Sequence, residues 1–262
     1  MSSTVSSEMF DALTDMKLDD EWKSSTGKGV SVVIIDSGVD KFHSDLKGKI
    51  KNTFAAVRDG NRTVFEETDA GDSAGHGTAC AGIISKIAPE ADLSSIKVLG
   101  AGGLGDGHAF LAGLEFAIKQ GYKIINLSLG TTKPQFVVPL NDLINRAYQA
   151  GCIIVAAGNN LPQPSYPSVF SSSLIAVSKS SETNYFDFGF NFGETIELTA
   201  PGVNVRTTWL NDGYRTLTGN SFACPHIVGV ITLLLESFPD LTPFQVKSAL
   251  YSIARRNQER KS

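Results

Sequence analysis

Three features of this 262-residue chain predict an α/β fold with a mostly parallel central sheet flanked by helices in three layers. Short apolar runs at 30–35, 93–99, 123–129, 152–157 and 174–177 have the near-continuous hydrophobicity of strands buried on both faces. Helical patterns at 110–119 and 138–150 fall between them, and strands that alternate with helices pair in parallel. A later segment, 221–238, carries Ile227, Val228, Val230, Ile231, Leu233, Leu234 and Leu235 around its circumference, which predicts a helix buried at the centre of the domain.

The elements follow in order. Val32, Val33, Ile34 and Ile35 are β-branched and favour a strand, which ends at Asp36. His76 stands at a helix start, and the small residues after it permit close packing. Beyond the run 93–99 lies a glycine-rich turn, then the helix 110–119. The run 152–157 ends in small residues and a Gly-Asn turn. In the helix 221–238, Pro225 falls in about the first turn, where a missing amide costs little. Thr242 is an N-cap for a last helix over 243–255. Residues 21–262 form one domain, preceded by a loosely attached arm at 1–20.

Bulk properties narrow the function. The composition, 42% hydrophobic and 19% charged, is that of an ordinary globular protein. A net charge of -4 with no long basic run gives nucleic acid no electrostatic footprint. No apolar stretch approaches the ~18 residues needed to cross a bilayer. The first 17 residues lack the basic start and apolar core of a secretory signal, so a cytoplasmic location is expected. Cys80, Cys152 and Cys224 cannot all pair, and their spacing fits neither a disulfide framework nor a zinc site. Reduced thiols are expected.

Four segments carry chemistry, each at a strand end or a helix start, where ligand sites collect in parallel sheets. They are Asp36-Ser37-Gly38, Gly75-His76-Gly77-Thr78, Ala157-Gly158-Asn159, and Gly219-Asn220-Ser221-Phe222-Ala223-Cys224-Pro225-His226. Taken singly, each has an ordinary reading: a turn, a structural histidine, a Gly-Asn turn, a helix cap. In this order they resemble the subtilisin-like serine proteases (subtilases) over nearly the whole chain, and the Asp, His, Ser order is that of subtilisin. Lys97-Val98-Leu99-Gly100, 125–130 and Ala200-Pro201-Gly202 extend the resemblance.

The resemblance implies a serine endopeptidase. Ser221 would be the nucleophile, His76 the general base, Asp36 the carboxylate that orients it, and Asn159, with the Ser221 amide, the oxyanion donor. It places the substrate, a peptide or protein in extended conformation, between Gly100, Gly102 and Gly103 on one side and Ser128, Leu129 and Gly130 on the other. Ala157, Gly158 and Ser165 complete the binding residues, with Ser165 at the floor of a modest pocket for the residue before the scissile bond. No cofactor, metal, nucleic acid or membrane is expected, and the chain is expected to be a monomer.

Departures from the family pattern carry expectations of their own. Asn220 stands where relatives have Thr as a secondary oxyanion support, and its amide is expected to take that part. Phe222 replaces a common Met, which removes an oxidisable thioether. The stretch 82–97 is too short for the calcium loop many relatives insert there, so that ion site is expected to be absent.

Three rivals compete with this reading. Gly100-Ala101-Gly102-Gly103-Leu104-Gly105 fits a dinucleotide-binding fingerprint, but no acid ends the next strand at 123–129, as that motif requires. A non-catalytic peptide binder of the same fold is disfavoured by the complete tetrad, and a transpeptidase by the lack of an insertion over the cleft. Processing of a precursor or leader peptide is the expected role, on size and location.

Overall fold

A computed structural model describes residues 20–60 and 62–260. The expected arm lies almost wholly outside them. Nine strands form one sheet: β1 (Ser31–Asp36), β2 (Ile50–Asp59), β3 (Arg62–Glu67), β4 (Asp92–Lys97), β5 (Ile124–Leu127), β6 (Ile153–Ala157), β7 (Ile175–Ser180), β8 (Gly189–Phe190) and β9 (Leu198–Pro201). Their order is β3-β2-β4-β1-β5-β6-β7-β9-β8. The pairs from β2 through to β9 are parallel, while β3 and β8 add antiparallel edges.

Burial explains the layers. Along β1, Val32 and Ile34 face one core and Val33 and Ile35 the other. Successive side chains of a strand point to opposite faces, so a strand apolar at every position needs cover on both. The helices α1 (His76–Ile87), α4 (Asn220–Ser237) and α5 (Pro243–Glu259) cover the first face. The second is covered by α2 (Gly107–Lys119) and α3 (Val137–Gln149). As the sequence implies, α4 is buried on all sides from Phe222 to Leu235. Thr242 caps α5, its hydroxyl accepting from the Gln245 amide in a capping box.

At its start the described chain is tied to this core. Trp22 is fully buried and meets the Phe186 ring edge-on at 5.6 Å. The Glu236 carboxylate, late in α4, accepts the amides of Thr26, Gly27 and Lys28 at 2.7, 2.6 and 3.2 Å. Outside the sheet, a two-stranded hairpin of β10 (Val205–Trp209) and β11 (Gly213–Leu217) lies on α1. There the Thr207 and Thr208 hydroxyls donate to the Ala79 and Thr78 carbonyls. The chain reverses direction across the sheet at β1, whose neighbours are β4 and β5. A crevice outside the carboxyl ends of strands at such a point is where an open α/β sheet takes its ligand.

Candidate active site

Asp36, the last residue of β1, is completely buried. A buried carboxylate must be hydrogen-bonded or paired. Asp36 accepts from the Ser37 amide at 2.7 Å, and both its oxygens lie 2.9 Å from Nδ1 of His76. His76 opens α1, and Gly77 lets the helix come this close: a Cβ there would sit 2.1 Å from the Gly38 carbonyl oxygen and 3.1 Å from Asp36 Cβ. With Nδ1 committed to Asp36, Nε2 is left as the base.

A second carboxylate, which sequence reasoning missed, holds the imidazole's helix. Asp72 accepts five hydrogen bonds, from the hydroxyls of Ser37 (2.7 Å) and Thr78 (2.7 Å) and the amides of Ala74 (2.9 Å), Gly75 (2.8 Å) and Thr78 (2.9 Å). Ser37 Oγ, whose one hydrogen is shared between Asp72 at 2.7 Å and Asp36 at 3.1 Å, also accepts the Gly77 amide at 3.1 Å and so joins the two acids. Burial disfavours the His76 imidazolium, but the charge of Asp36, its hydrogen bond and the charge of Asp72 outweigh it. The His76 pKa is raised above the ordinary histidine value. An Asp shortly before a helix start is a capping signal that could have marked Asp72.

Ser221 lies in the first turn of α4, half exposed, and lines the same cleft as His76. Its hydroxyl donates to the Ser128 carbonyl at 3.2 Å. Pro225 is the sixth residue of α4, one further in than a helix starting at 221 implies, and its missing N–H has a use. That N–H would have bonded the Ser221 carbonyl four residues back. The freed carbonyl instead accepts Ser128 Oγ at 2.8 Å and Cys80 Sγ at 3.5 Å. The Ser221 amide is one of the first-turn amides a helix leaves unpaired. The Phe222 ring packs 5.4 Å from the His76 imidazole, centroid to centroid.

Asn159 follows β6 and lines the cleft, its Oδ1 accepting the Leu161 amide at 3.1 Å. That bond orients the carboxamide with its NH2 as remaining donor. Asn220 departs from expectation. Its Nδ2 donates to the carbonyls of Gly158 (3.1 Å) and Asn159 (2.8 Å), and its Oδ1 accepts the Lys179 amide at 2.9 Å. Both amide hydrogens are thus spent on backbone, so this side chain braces the Asn159 loop and is not a second oxyanion donor.

The cleft, about 970 Å³, is lined by Gly102, Gly103, Ser128, Leu129, Gly130, Ala157, Gly158, Asn159 and Ser165 as well as His76 and Ser221. Gly100 is an exception: its amide donates to the Leu104 carbonyl at 2.8 Å, closing the glycine turn, and it does not itself line the cleft. Beside the cleft Thr131 and Tyr166 form an isolated antiparallel bridge, exchanging two backbone hydrogen bonds of 2.8 Å. A Cβ on Gly130 would sit 2.8 Å from the Tyr166 carbonyl oxygen and 3.5 Å from Ser165 Oγ. Trp209, Leu210 and Arg215 of the β10–β11 region also line the cleft, and sequence reasoning missed all three.

All three cysteines are free and buried. Burial pushes the thiols of Cys152 and Cys224 up to about 12 and that of Cys80 well above its ordinary value, so none is a thiolate near neutral pH. The residues do not suit the calcium ion of relatives. α1 runs unbroken to Ile87, and the Glu90 carboxylate that follows accepts the Thr26 hydroxyl at 2.6 Å. Among the described residues, the one group of three His, Cys, Asp or Glu side chains close enough to share an ion is Asp36, His76 and Cys80.

An acid, an imidazole and a hydroxyl gathered at one rim of a parallel sheet define the class of subtilisin-like serine proteases. The Subtilase family model matches residues 27–262, and the chain belongs to that family. It is 34% identical over 252 residues to the minor extracellular protease Epr of Bacillus subtilis, covering 91% of this chain and 37% of that protein. It is 33% identical over 243 residues to subtilisin DY of Bacillus licheniformis, covering 87% and 84%. The structure of a cold-adapted subtilisin-like serine proteinase superposes with a TM-score of 0.72 at 27% identity, over 87% of this chain and 83% of that one. This chain thus spans little over a third of Epr, but most of subtilisin DY. The dinucleotide-binding rival is set aside by the family match, and its glycine turn is a wall of the cleft.

Proposed function

We propose that this chain is a serine endopeptidase that hydrolyses peptide bonds through an acyl-enzyme on Ser221. The observation that carries it is the buried Asp36 carboxylate bonded to His76 Nδ1, with His76 and Ser221 lining one cleft. Ser221 Oγ attacks the scissile carbonyl carbon and its proton passes to His76 Nε2. Asp36 keeps the tautomer and offsets the imidazolium charge. The oxyanion takes hydrogen bonds from the Asn159 carboxamide and the Ser221 amide. As the tetrahedral adduct collapses, the C–N bond breaks and His76 returns the proton to the leaving amine. Water, deprotonated by His76, then releases the acid and restores Ser221.

Substrate binds extended along Gly102–103 and 128–130, pairing its backbone with theirs. Ser165 gives the pocket a polar floor suited to modest side chains. Strong preference for large aromatics in a peptide library contradicts that. The three buried thiols favour a reducing compartment, and fractionation of the native cells tests this. The reading as a whole is tested by a fluorophosphonate probe: labelling and peptide cleavage in the wild type, both lost in Ser221→Ala, support it. An unlabelled, folded wild type refutes it.

A further inference from the structure

Resting on the endopeptidase reading, we propose that Arg215, stacked on Trp209, selects substrates with an acidic residue on the leaving-group side of the scissile bond. The placement comes from the mechanism. His76 protonates the departing amine, so the C-terminal half of the substrate leaves the reacting centre past His76. Trp209 stands there: a Cβ on Gly75, the residue before His76, would fall 2.5 Å from the indole Cε2. Trp209 and Arg215 lie two residues apart along the same face of the β10–β11 ladder, where Thr207 pairs with Arg215 and Trp209 with Gly213. The Arg215 guanidinium sits 4.5 Å from the centroid of the Trp209 ring, and both residues line the cleft.

This cation is free to act on substrate. Among the described residues Arg215 makes no ion pair, and stacking on the indole holds its planar fork without consuming its N–H donors. The other charged residues of the lining sit elsewhere. Asp106 caps α2, its carboxylate accepting the His108 amide at 3.1 Å, and Lys133 follows the Ser128–Gly130 wall. Both belong to the half of the cleft that holds the acyl side of the substrate. Arg215 is therefore the one arginine or lysine of the lining on the His76 side, and a carboxylate placed beside its guanidinium is stabilised while an ammonium is repelled.

The experiment uses internally quenched peptides of one sequence that differ by Glu, Gln or Lys at the first, second or third position after the scissile bond. At the responsive position the wild type turns over the Glu peptide about three- to tenfold faster than the Lys peptide in kcat/KM, the scale on which one partly exposed ion pair differs from one like-charge repulsion. Raising salt to about 1 M flattens that ratio. Arg215→Gln abolishes it, Arg215→Lys keeps part of it and Arg215→Glu inverts it. Each ratio is taken on one enzyme preparation, so a variant's folded fraction cancels. A flat ratio in a wild type that still labels with fluorophosphonate overturns this inference and leaves the peptidase reading standing. So does a ratio that survives in Arg215→Gln. A wild type that neither labels nor cleaves overturns both.

Discussion

Ser128 and Ser221 hold one another by two hydrogen bonds, Ser221 Oγ to the Ser128 carbonyl at 3.2 Å and Ser128 Oγ to the Ser221 carbonyl at 2.8 Å. The second exists because Pro225 leaves the Ser221 carbonyl without its helical partner. A wall of the substrate cleft is thereby fastened to the nucleophile, which fixes where the hydroxyl stands relative to bound peptide. Ser128→Ala removes the second bond and leaves the Ser221 carbonyl with only the weak Cys80 thiol donor, while the bond to the Ser128 backbone carbonyl remains. We expect kcat to fall about tenfold, the scale of one such bond. Steady-state kinetics after active-site titration check this, and unchanged kcat contradicts it.

Asp72 offers a prediction in pH. Catalysis needs neutral His76, so activity rises with pH through a pKa that lies above the ordinary histidine value. Asp72 contributes to that elevation by its charge, less than Asp36 does. Asp72→Asn removes a negative charge that favours the imidazolium, so the acid limb of kcat/KM moves to lower pH. A residue that served the loop alone would lower the rate and leave the limb in place.

Asn220 acts through Asn159. In Asn220→Ala the Gly158 and Asn159 carbonyls lose their donor and the Lys179 amide its acceptor, for a stability loss of about 1–3 kcal/mol. Asn159→Ala alone should cost about 10²–10³ in turnover, as removal of this donor does in subtilisin. In the double variant Asn220→Ala adds little further loss of kcat. Full multiplication of the two effects would show that Asn220 acts independently of Asn159.

His226 should make the fold acid-sensitive. Burial lowers its pKa to about 4, although the Phe222 carbonyl 2.7 Å from Nδ1 pulls the other way. A folded pKa below the unfolded value of about 6.5 gives stability present above pH 6.5 and lost as pH falls toward 4, by roughly 3 kcal/mol. His76 is shifted upward and contributes the opposite slope, so the comparison is made in a His76→Ala background. Urea midpoints between pH 7 and 4 should fall steeply there and more shallowly once His226→Gln is added. Equal slopes contradict the assignment.

Calcium removal should leave this protein's melting temperature unchanged, since the end of α1 offers no set of oxygens for the ion. A drop of about 10 °C or more with chelator, as a tightly bound ion would give by linkage, contradicts it.

The buried strands are legible from their composition, whereas Asp36, His76, Asn159 and Ser221 are legible only jointly, through the order of four segments that singly read as a turn, a structural histidine or a helix cap. A parallel strand covered on both faces must be apolar at every position, so Asp36 after Val32 to Ile35, or Asn159 after β6, marks where a strand has ended. The β10–β11 hairpin is not legible. Its threonines and arginines are polar, and its burial comes from docking on α1 through Thr207 and Thr208. Trp209 and Arg215 are hidden with it. Asp72 carries only the faint signal of an acid shortly before a helix start, because most of its partners are backbone amides, which residue types do not display. Asn220 misleads because composition gives an amide's donors but not their direction.

Asp36, His76 and Ser221 are held to act as one unit, and kcat/KM of Ser221→Ala, His76→Ala and the double variant on one good peptide tests that most directly. Each single change should lower it by about 10⁴–10⁶, and the double should fall no further than the worse single. Losses that multiply, or a His76→Ala enzyme that keeps its rate, would contradict the account.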